Sequence, residues 1–243
     1  MKNREKILNL IIIIFGLIFA YQVFSYAKTY LAEKESDKSY TEIKTSIRPQ
    51  NPDENPGEIQ EENQIDFENL AKINPDIFAW IRSDEGRIDY PLVKGVDNDK
   101  YLHTLASGDK NYLGAVFMDY RNESLDDALV LIYAHTTNNG TMFGSLNVFK
   151  ENPEKTGFSF YTKDKTIKTN AVLAAIIPGD TAIDPQNYGD FEKRKEFFTY
   201  IRENAVYDTG YNLKEKDKII NLVTCTYEKY DSRLLVLTIN EGE

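Results

Sequence analysis

The chain has 243 residues, enough for one sizeable domain with extra segments and too few for two large ones. A hydrophobic fraction of 41% and an aromatic fraction of 12%, mostly Tyr and Phe, fit a globular domain with a β-rich core and exclude a disordered chain. The formal net charge is −10; residues 1–27 carry Lys2, Arg4 and Lys6 against Glu5, a net of +2, so the remainder carries −12. Such an acidic body argues against nucleic acid as a partner, because phosphate neutralisation needs clustered Lys and Arg.

Residues 1–6 are polar and basic, and residues 7–27 are mostly apolar, which is long enough to span a bilayer. Tyr21, Phe24, Tyr26 and Tyr30 lie towards the C-terminal end of that stretch, as interfacial aromatics do. The basic residues before it keep the N-terminus in the cytoplasm and put the body outside. A cleaved signal peptide is the competing reading. The apolar stretch is long for a signal peptide, however, and no small-x-small cleavage site follows it. Residues 1–27 are therefore expected to be a single-pass signal anchor. Residues 28–64 are rich in Lys, Glu, Asp, Ser, Asn and Pro, with Pro49, Pro52 and Pro56 near the end. Their first part extends the membrane helix, and the rest is expected to be a flexible extracellular stalk.

The folded body is expected over residues 65–243. Phe67, Leu70, Ala71 and Ile73 mark a short amphipathic helix that Asn74-Pro75 breaks, and residues 77–81 read as a second short turn. Strands are expected over 88–93, 115–119 and 129–134, with a loop or short helix over 142–149. Further strands follow over 158–161, 166–169 and 171–177. Residues 191–203 have the pattern of an amphipathic helix. Two final strands, 219–227 and 233–239, are joined by a polar turn. The count predicts a mainly β fold, a closed antiparallel β-barrel with peripheral helices, preceded by the membrane helix.

Three strand boundaries carry residues suited to chemistry. The only cysteine, Cys225, ends the apolar strand Leu222-Val223-Thr224-Cys225 beside a polar turn. A thiolate nucleophile needs partial exposure and positive neighbours, which a strand end at a barrel rim supplies; a buried core Cys is the competing reading. One of two histidines, His135, directly follows the apolar strand Leu131-Ile132-Tyr133-Ala134, and imidazole is the usual partner of a Cys nucleophile. His103 lacks that setting and is taken as structural or exposed. Arg233 opens the strand after the Cys strand. A hairpin centred near Lys229 would make Cys225 and Arg233 face each other, where a guanidinium lowers the thiol pKa or stabilises a tetrahedral oxyanion. Two isolated histidines make no metal site, and no cofactor is called for.

These segments, in this order, resemble the sortase family over residues 65–240. Thr224-Cys225 matches its nucleophile motif, with Leu222 and Val223 in place of some of the usual small residues. Tyr133-Ala134-His135 matches the catalytic His segment, with Ala134 where Gly is usual and Thr136 where Asn is frequent. Arg233, eight residues after the Cys, matches the catalytic Arg. The segments 117–121, 141–146 and 224–227 and the long helix before the Cys strand resemble class B. A pilus-polymerising class C enzyme fits less well, since the stalk has no aromatic lid motif and no second apolar span is seen.

The resemblance implies a cysteine transpeptidase on a Gram-positive cell surface. Cys225 attacks a C-terminal sorting motif of secreted proteins, a thioacyl enzyme forms, and a peptidoglycan-precursor amine resolves it. His135 is the proton carrier and Arg233 the oxyanion stabiliser. Asn98, Leu102, Tyr133 and Thr224 are the positions expected to line the peptide groove. The rival readings are a thiol endopeptidase or hydrolase without amine transfer, and a non-catalytic membrane-tethered binding domain.

Overall fold

The computed structural model describes residues 2–47, 65–137, 140–150, 157–226 and 231–240. The first element is a single 45-residue helix, α1 (Lys2–Ser46). Its N-terminal part is apolar enough to cross a membrane, and that apolar surface is exposed all round. Residues 7–27 would rise about 32 Å, close to the hydrocarbon thickness of a bilayer.

The helix continues past residue 28 to Ser46, and its last turns dock on the body, a contact that the sequence of residues 28–64 does not announce. Ser36, Tyr40, Ile43 and Ile47 are buried, and their spacing of four, three and four puts them on one helical face. The Tyr40 hydroxyl donates to the Gly114 carbonyl at 3.2 Å, and the Tyr40 ring meets Tyr90 edge-on at 5.1 Å. Asn111 Nδ2 donates to the Ala32 carbonyl at 2.9 Å, and Lys44 pairs with Asp89 at 3.2 Å. The overall polarity of the stretch hides this narrow apolar stripe. The three prolines and the remainder of the expected stalk, residues 48–64, lie outside the described residues.

Helix α2 (Phe67–Ile73) is capped by Asp66, whose carboxylate accepts from the Asn69 amide at 2.9 Å. Among the described residues nine strands follow: β1 (Ile77–Ser83), β2 (Asp89–Lys94), β3 (Val116–Met118), β4 (Leu129–Tyr133), β5 (Gly157–Thr162), β6 (Thr166–Pro178), β7 (Ala205–Asp208), β8 (Lys218–Thr226) and β9 (Ser232–Asn240). Pairing runs β5-β1-β2-β3-β4-β8-β9-β6, and β5 pairs again with β6, which closes an eight-stranded barrel; β7 adds to the outer side of β6. The barrel is not wholly antiparallel. The β2–β3 and β4–β8 seams are parallel, because the intervening chain crosses over before pairing. Residues 77–83 form a strand rather than a turn, and 166–178 form one continuous strand rather than two.

Helix α3 (Phe191–Glu203) begins at Asp190, whose carboxylate caps the Lys193 amide at 3.1 Å. Its buried face, Phe197, Phe198 and Ile201, covers the outer surface of β6, β8 and β9. The central strands are thus apolar on both faces. On β8, Ile220 and Leu222 point into the barrel core, while Ile219 and Val223 meet the α3 layer. This is why residues 219–223 read as a near-continuous apolar run.

Truncating Ile43 to Ala should weaken docking of α1 by about 2–5 kcal/mol, the usual cost of emptying a buried Ile site. Amide exchange over residues 36–47 should accelerate in this variant. The same measurement on Lys38→Ala should be unchanged, because Lys38 is exposed and its pair with Glu42 lies on the helix surface.

Candidate active site

Strand β8 carries Cys225 near its C-terminal end, and its two neighbours decide what lies beside it. On one side, the antiparallel β8–β9 seam pairs Cys225 directly with Arg233. Such opposed residues have Cα atoms about 4.5–5.5 Å apart and side chains on the same face. On the other side, the parallel β4–β8 seam pairs Ile132 with Leu222 and Tyr133 with Val223. Continuing that register by two residues brings His135 opposite Cys225.

Two hydrogen bonds carry the seam past the end of β4. The Ala134 amide donates to the Val223 carbonyl at 3.2 Å, and the buried Thr224 hydroxyl donates to the Ala134 carbonyl at 2.8 Å. Thr224, the residue before Cys225, therefore ties down Ala134, the residue before His135.

Beyond His135 the chain turns back on itself. The Phe143 amide donates to the His135 carbonyl at 3.1 Å, and Thr136 bridges Met142. Gly144 permits this close return, since a Cβ there would lie 2.5 Å from the Thr137 carbonyl oxygen. The imidazole itself is held by Leu102, with Nε2 2.9 Å from the Leu102 carbonyl oxygen. A carbonyl only accepts, so Nε2 carries the hydrogen and Nδ1 is the nitrogen left to exchange a proton. Leu102 is held in turn by its neighbour Tyr101. The buried Tyr101 hydroxyl donates to Asp76 at 2.7 Å and accepts from Asn74 Nδ2 at 2.9 Å.

Cys225, His135, Arg233, Asn98, Leu102, Tyr133 and Thr224 all line one open cleft of about 600 Å³. The thiol is exposed, His135 and Arg233 are half-buried, and Thr224 is buried. The far wall is the β6–α3 connection. Gly179 opens it by packing against Asp231, which adopts a left-handed backbone (φ 47°) in the turn before β9. Residues 227–230, the last residue of the expected strand and the first three of the polar turn expected over 228–232, lie outside the described residues.

Asp119 and Arg121 join the cleft walls from behind. Arg121 donates from Nε and Nη2 to the two Asp119 carboxylate oxygens at 2.9 and 2.7 Å. Burial would push the Asp119 carboxyl up, but Arg121 and Asn98 outweigh it and hold the carboxyl below its usual range. Burial, reinforced by the neighbouring Asp119 carboxylate, pushes the Tyr133 phenol well above its usual range, so the hydroxyl stays a donor; the charges of Arg121 and Arg233 act weakly the other way.

No family model matches the chain. Sortase B of Staphylococcus aureus is 26% identical over 249 residues, spanning 98% of this chain and 96% of its own. The crystal structure of a Streptococcus pyogenes class B sortase involved in pilus biogenesis is 30% identical, with a TM-score of 0.64, covering 72% of this chain and 97% of that one. The chain belongs to the sortase family. It is class B-like within that family: sortase B from Bacillus anthracis, solved in complex with AAEK1, matches with a TM-score of 0.72 at 25% identity, over 88% of this chain and 100% of its own.

Two features of the sortase cleft are not apparent from the sequence. His103 does not stand apart. It is exposed, but its ring stacks on His135 with centroids 6.3 Å apart and planes at 25°. The turn formed by the 3₁₀ segment Lys100–Leu102 brings the two together. The second is the Asp119–Arg121 pair, which looks like ordinary turn chemistry two residues apart in the sequence.

Thr224→Val keeps the shape of the side chain and deletes its hydroxyl. It should lower the unfolding free energy by about 1–3 kcal/mol, the cost of leaving a buried acceptor short of its donor. Thr224→Ser should recover most of the loss. Denaturant titration, followed by fluorescence of the single Trp80, measures both.

Proposed function

We propose that this chain is a membrane-anchored cysteine transpeptidase that joins secreted proteins bearing a C-terminal sorting motif to an amine of a peptidoglycan precursor. The observation that supports this reading best is the register of β8, with Arg233 paired to Cys225 on one side and His135 next in register on the other. The open cleft beside them has room for an extended peptide.

The Cys225 thiolate attacks the Thr carbonyl of the sorting motif and forms the carbon–sulfur bond. Arg233 stabilises the oxyanion of the tetrahedral intermediate. As the carbon–nitrogen bond breaks, the His135 imidazolium gives its Nδ1 proton to the departing amine. The result is a thioacyl enzyme and a neutral imidazole. An acceptor amine then attacks the thioester and passes a proton to His135, and the Cys225 thiolate leaves. Protons balance over the cycle, and thiolate and imidazolium are regenerated together. Asn98, Leu102, Tyr133 and Thr224 shape the groove for the peptide.

Residues 1–27 anchor the chain as a single-pass helix, with Lys2, Arg4 and Lys6 on the cytoplasmic side and the catalytic domain, residues 65–243, outside the cell. Docking of residues 36–47 on the body fits an enzyme held near the membrane surface, where lipid-linked precursors lie.

Peptide cleavage and amine transfer by folded variants test the assignment. Cys225→Ala should form no acyl-enzyme, because the chain has no other thiol. His135→Ala should lose nearly all turnover while its thiol remains slowly alkylatable. Arg233→Lys should fall by on the order of a hundredfold to a thousandfold, since a point-like ammonium does not reproduce the planar fork. His103→Ala should keep most of the rate, because a ring centred 6.3 Å away is beyond hydrogen-bond reach of His135. Cleavage without any preference for amine acceptors would instead mark a hydrolase, and an unreactive Cys225 would mark a binding domain.

A further inference from the structure

Asp119 follows β3 at the back of the cleft, and its side chain is fully buried. Five donors converge on it. The Arg121 amide and Nε reach Oδ1 at 3.0 and 2.9 Å. Arg121 Nη2, Asn98 Nδ2 and the Tyr133 hydroxyl reach Oδ2 at 2.7, 3.0 and 3.1 Å. A carboxylate offers about four lone-pair sites, so its accepting capacity is fully used. Asp119 does not itself line the cleft, whereas Asn98, Arg121 and Tyr133 all do.

The five donors come from three residues, Arg121, Asn98 and Tyr133, in different parts of the cleft. Asn98 lies in the connection after β2, and its orientation is fixed from both ends, since its Oδ1 accepts from the Tyr120 amide at 3.0 Å. Tyr133 ends β4, two residues before His135. Arg121 extends to the opposite wall, donating from Nη2 to the Ile183 carbonyl at 3.1 Å and pairing through Nη1 with Asp184 at 3.6 Å. Gln186 returns the contact by donating to the Arg121 carbonyl at 3.4 Å. One buried carboxylate thus connects Asn98, Tyr133 and, through Arg121, the 179–188 segment.

We propose that Asp119 is a positioning residue for the peptide groove, and that Arg121 is the arm through which it holds the 179–188 wall at its working distance from Asn98 and Tyr133. This rests on the reading that the cleft binds the sorting peptide. Removing the carboxylate charge frees the Arg121 fork, loosens the 179–188 wall, and leaves the Asn98 amide held only by its bond from the Tyr120 amide. The nucleophile is untouched, because Cys225 is set by the β8 and β9 pairing rather than by this network. The consequence is a defect in peptide binding rather than in thiol chemistry.

The test uses the full-length protein in detergent, with Asp119→Asn and Arg121→Lys. The second variant keeps the charge and serves if the first fails to fold. Three quantities are measured: kcat and KM for a fluorogenic sorting-motif peptide with an amine acceptor, the rate of Cys225 alkylation by iodoacetamide, and amide exchange over residues 179–188. A wall displaced by about 1 Å costs on the order of ten- to a hundredfold, and here the loss should fall mainly in KM. Alkylation should stay near wild type, and exchange over 179–188 should accelerate. An unchanged KM in a folded variant overturns the proposal. So does a loss confined to kcat with altered alkylation, or unchanged exchange over 179–188. If the wild type processes no sorting peptide, the functional reading falls, and the positioning claim then stands or falls on the exchange measurement alone.

Discussion

Strand β8 lies between β4 and β9, and the register of those two seams decides what meets at its C-terminal end. A shift of one residue in either seam would turn every side chain on the moving strand to the opposite face. Cys225 would then no longer share a face with Arg233, or His135 would move out of line with Cys225. The register is strongly specified because β8 is buried on both sides, with Ile220 and Leu222 in the barrel core and Ile219 and Val223 under α3. At the rim, where apolar packing ends, Thr224 takes over and holds the Ala134 carbonyl. The same residues that stabilise the barrel thereby bring a thiol, an imidazole and a guanidinium to one open cleft.

The cleft walls depend on a second, polar layer. His135 is steadied through Leu102, which is positioned by the buried Tyr101 and its bonds to Asp76 and Asn74. The β6–α3 connection buries Pro185 and packs Tyr188 on Phe197 at 5.0 Å, and Arg121 and, through it, Asp119 tie it across the cleft. Strands carry Cys225 and Arg233, and a loop forms the far wall, a common division between scaffold and recognition surface. Helix α1 adds a constraint from outside the barrel. It is continuous from its apolar stretch to the docked face at residues 36–47, so the body is not free to swing about residue 28.

Much of this was legible in the sequence where the signals are local. The final hairpin follows from two apolar runs around a polar turn, and the pairing of Cys225 with Arg233 follows from counting outward from Lys229. Helix α3 is legible because its apolar residues Phe191, Phe197, Phe198 and Ile201 recur at helical spacing among charges. Other features depend on partners far away in the chain. Residues 77–83 form a short apolar run that periodicity alone cannot assign, and it becomes a strand because β2 and β5 flank it. The parallel seams join segments separated by long connections, so nothing local announces them. Three buried apolar residues among many charges made 36–47 look like spacer, and His103 meets His135 only because of the turn at Lys100–Leu102. The network on Asp119 was hidden for the same reason, since its donors come from separate elements.

The most direct measurement of the central claim is intact-protein and peptide mass spectrometry of the full-length chain quenched in acid during turnover of a sorting-motif peptide. The account predicts a covalent adduct with the mass of the N-terminal peptide fragment, mapped to Cys225, which disappears faster as amine acceptor is added. Peptide cleavage with no adduct on Cys225 at any time, together with full activity in Cys225→Ala, would contradict it.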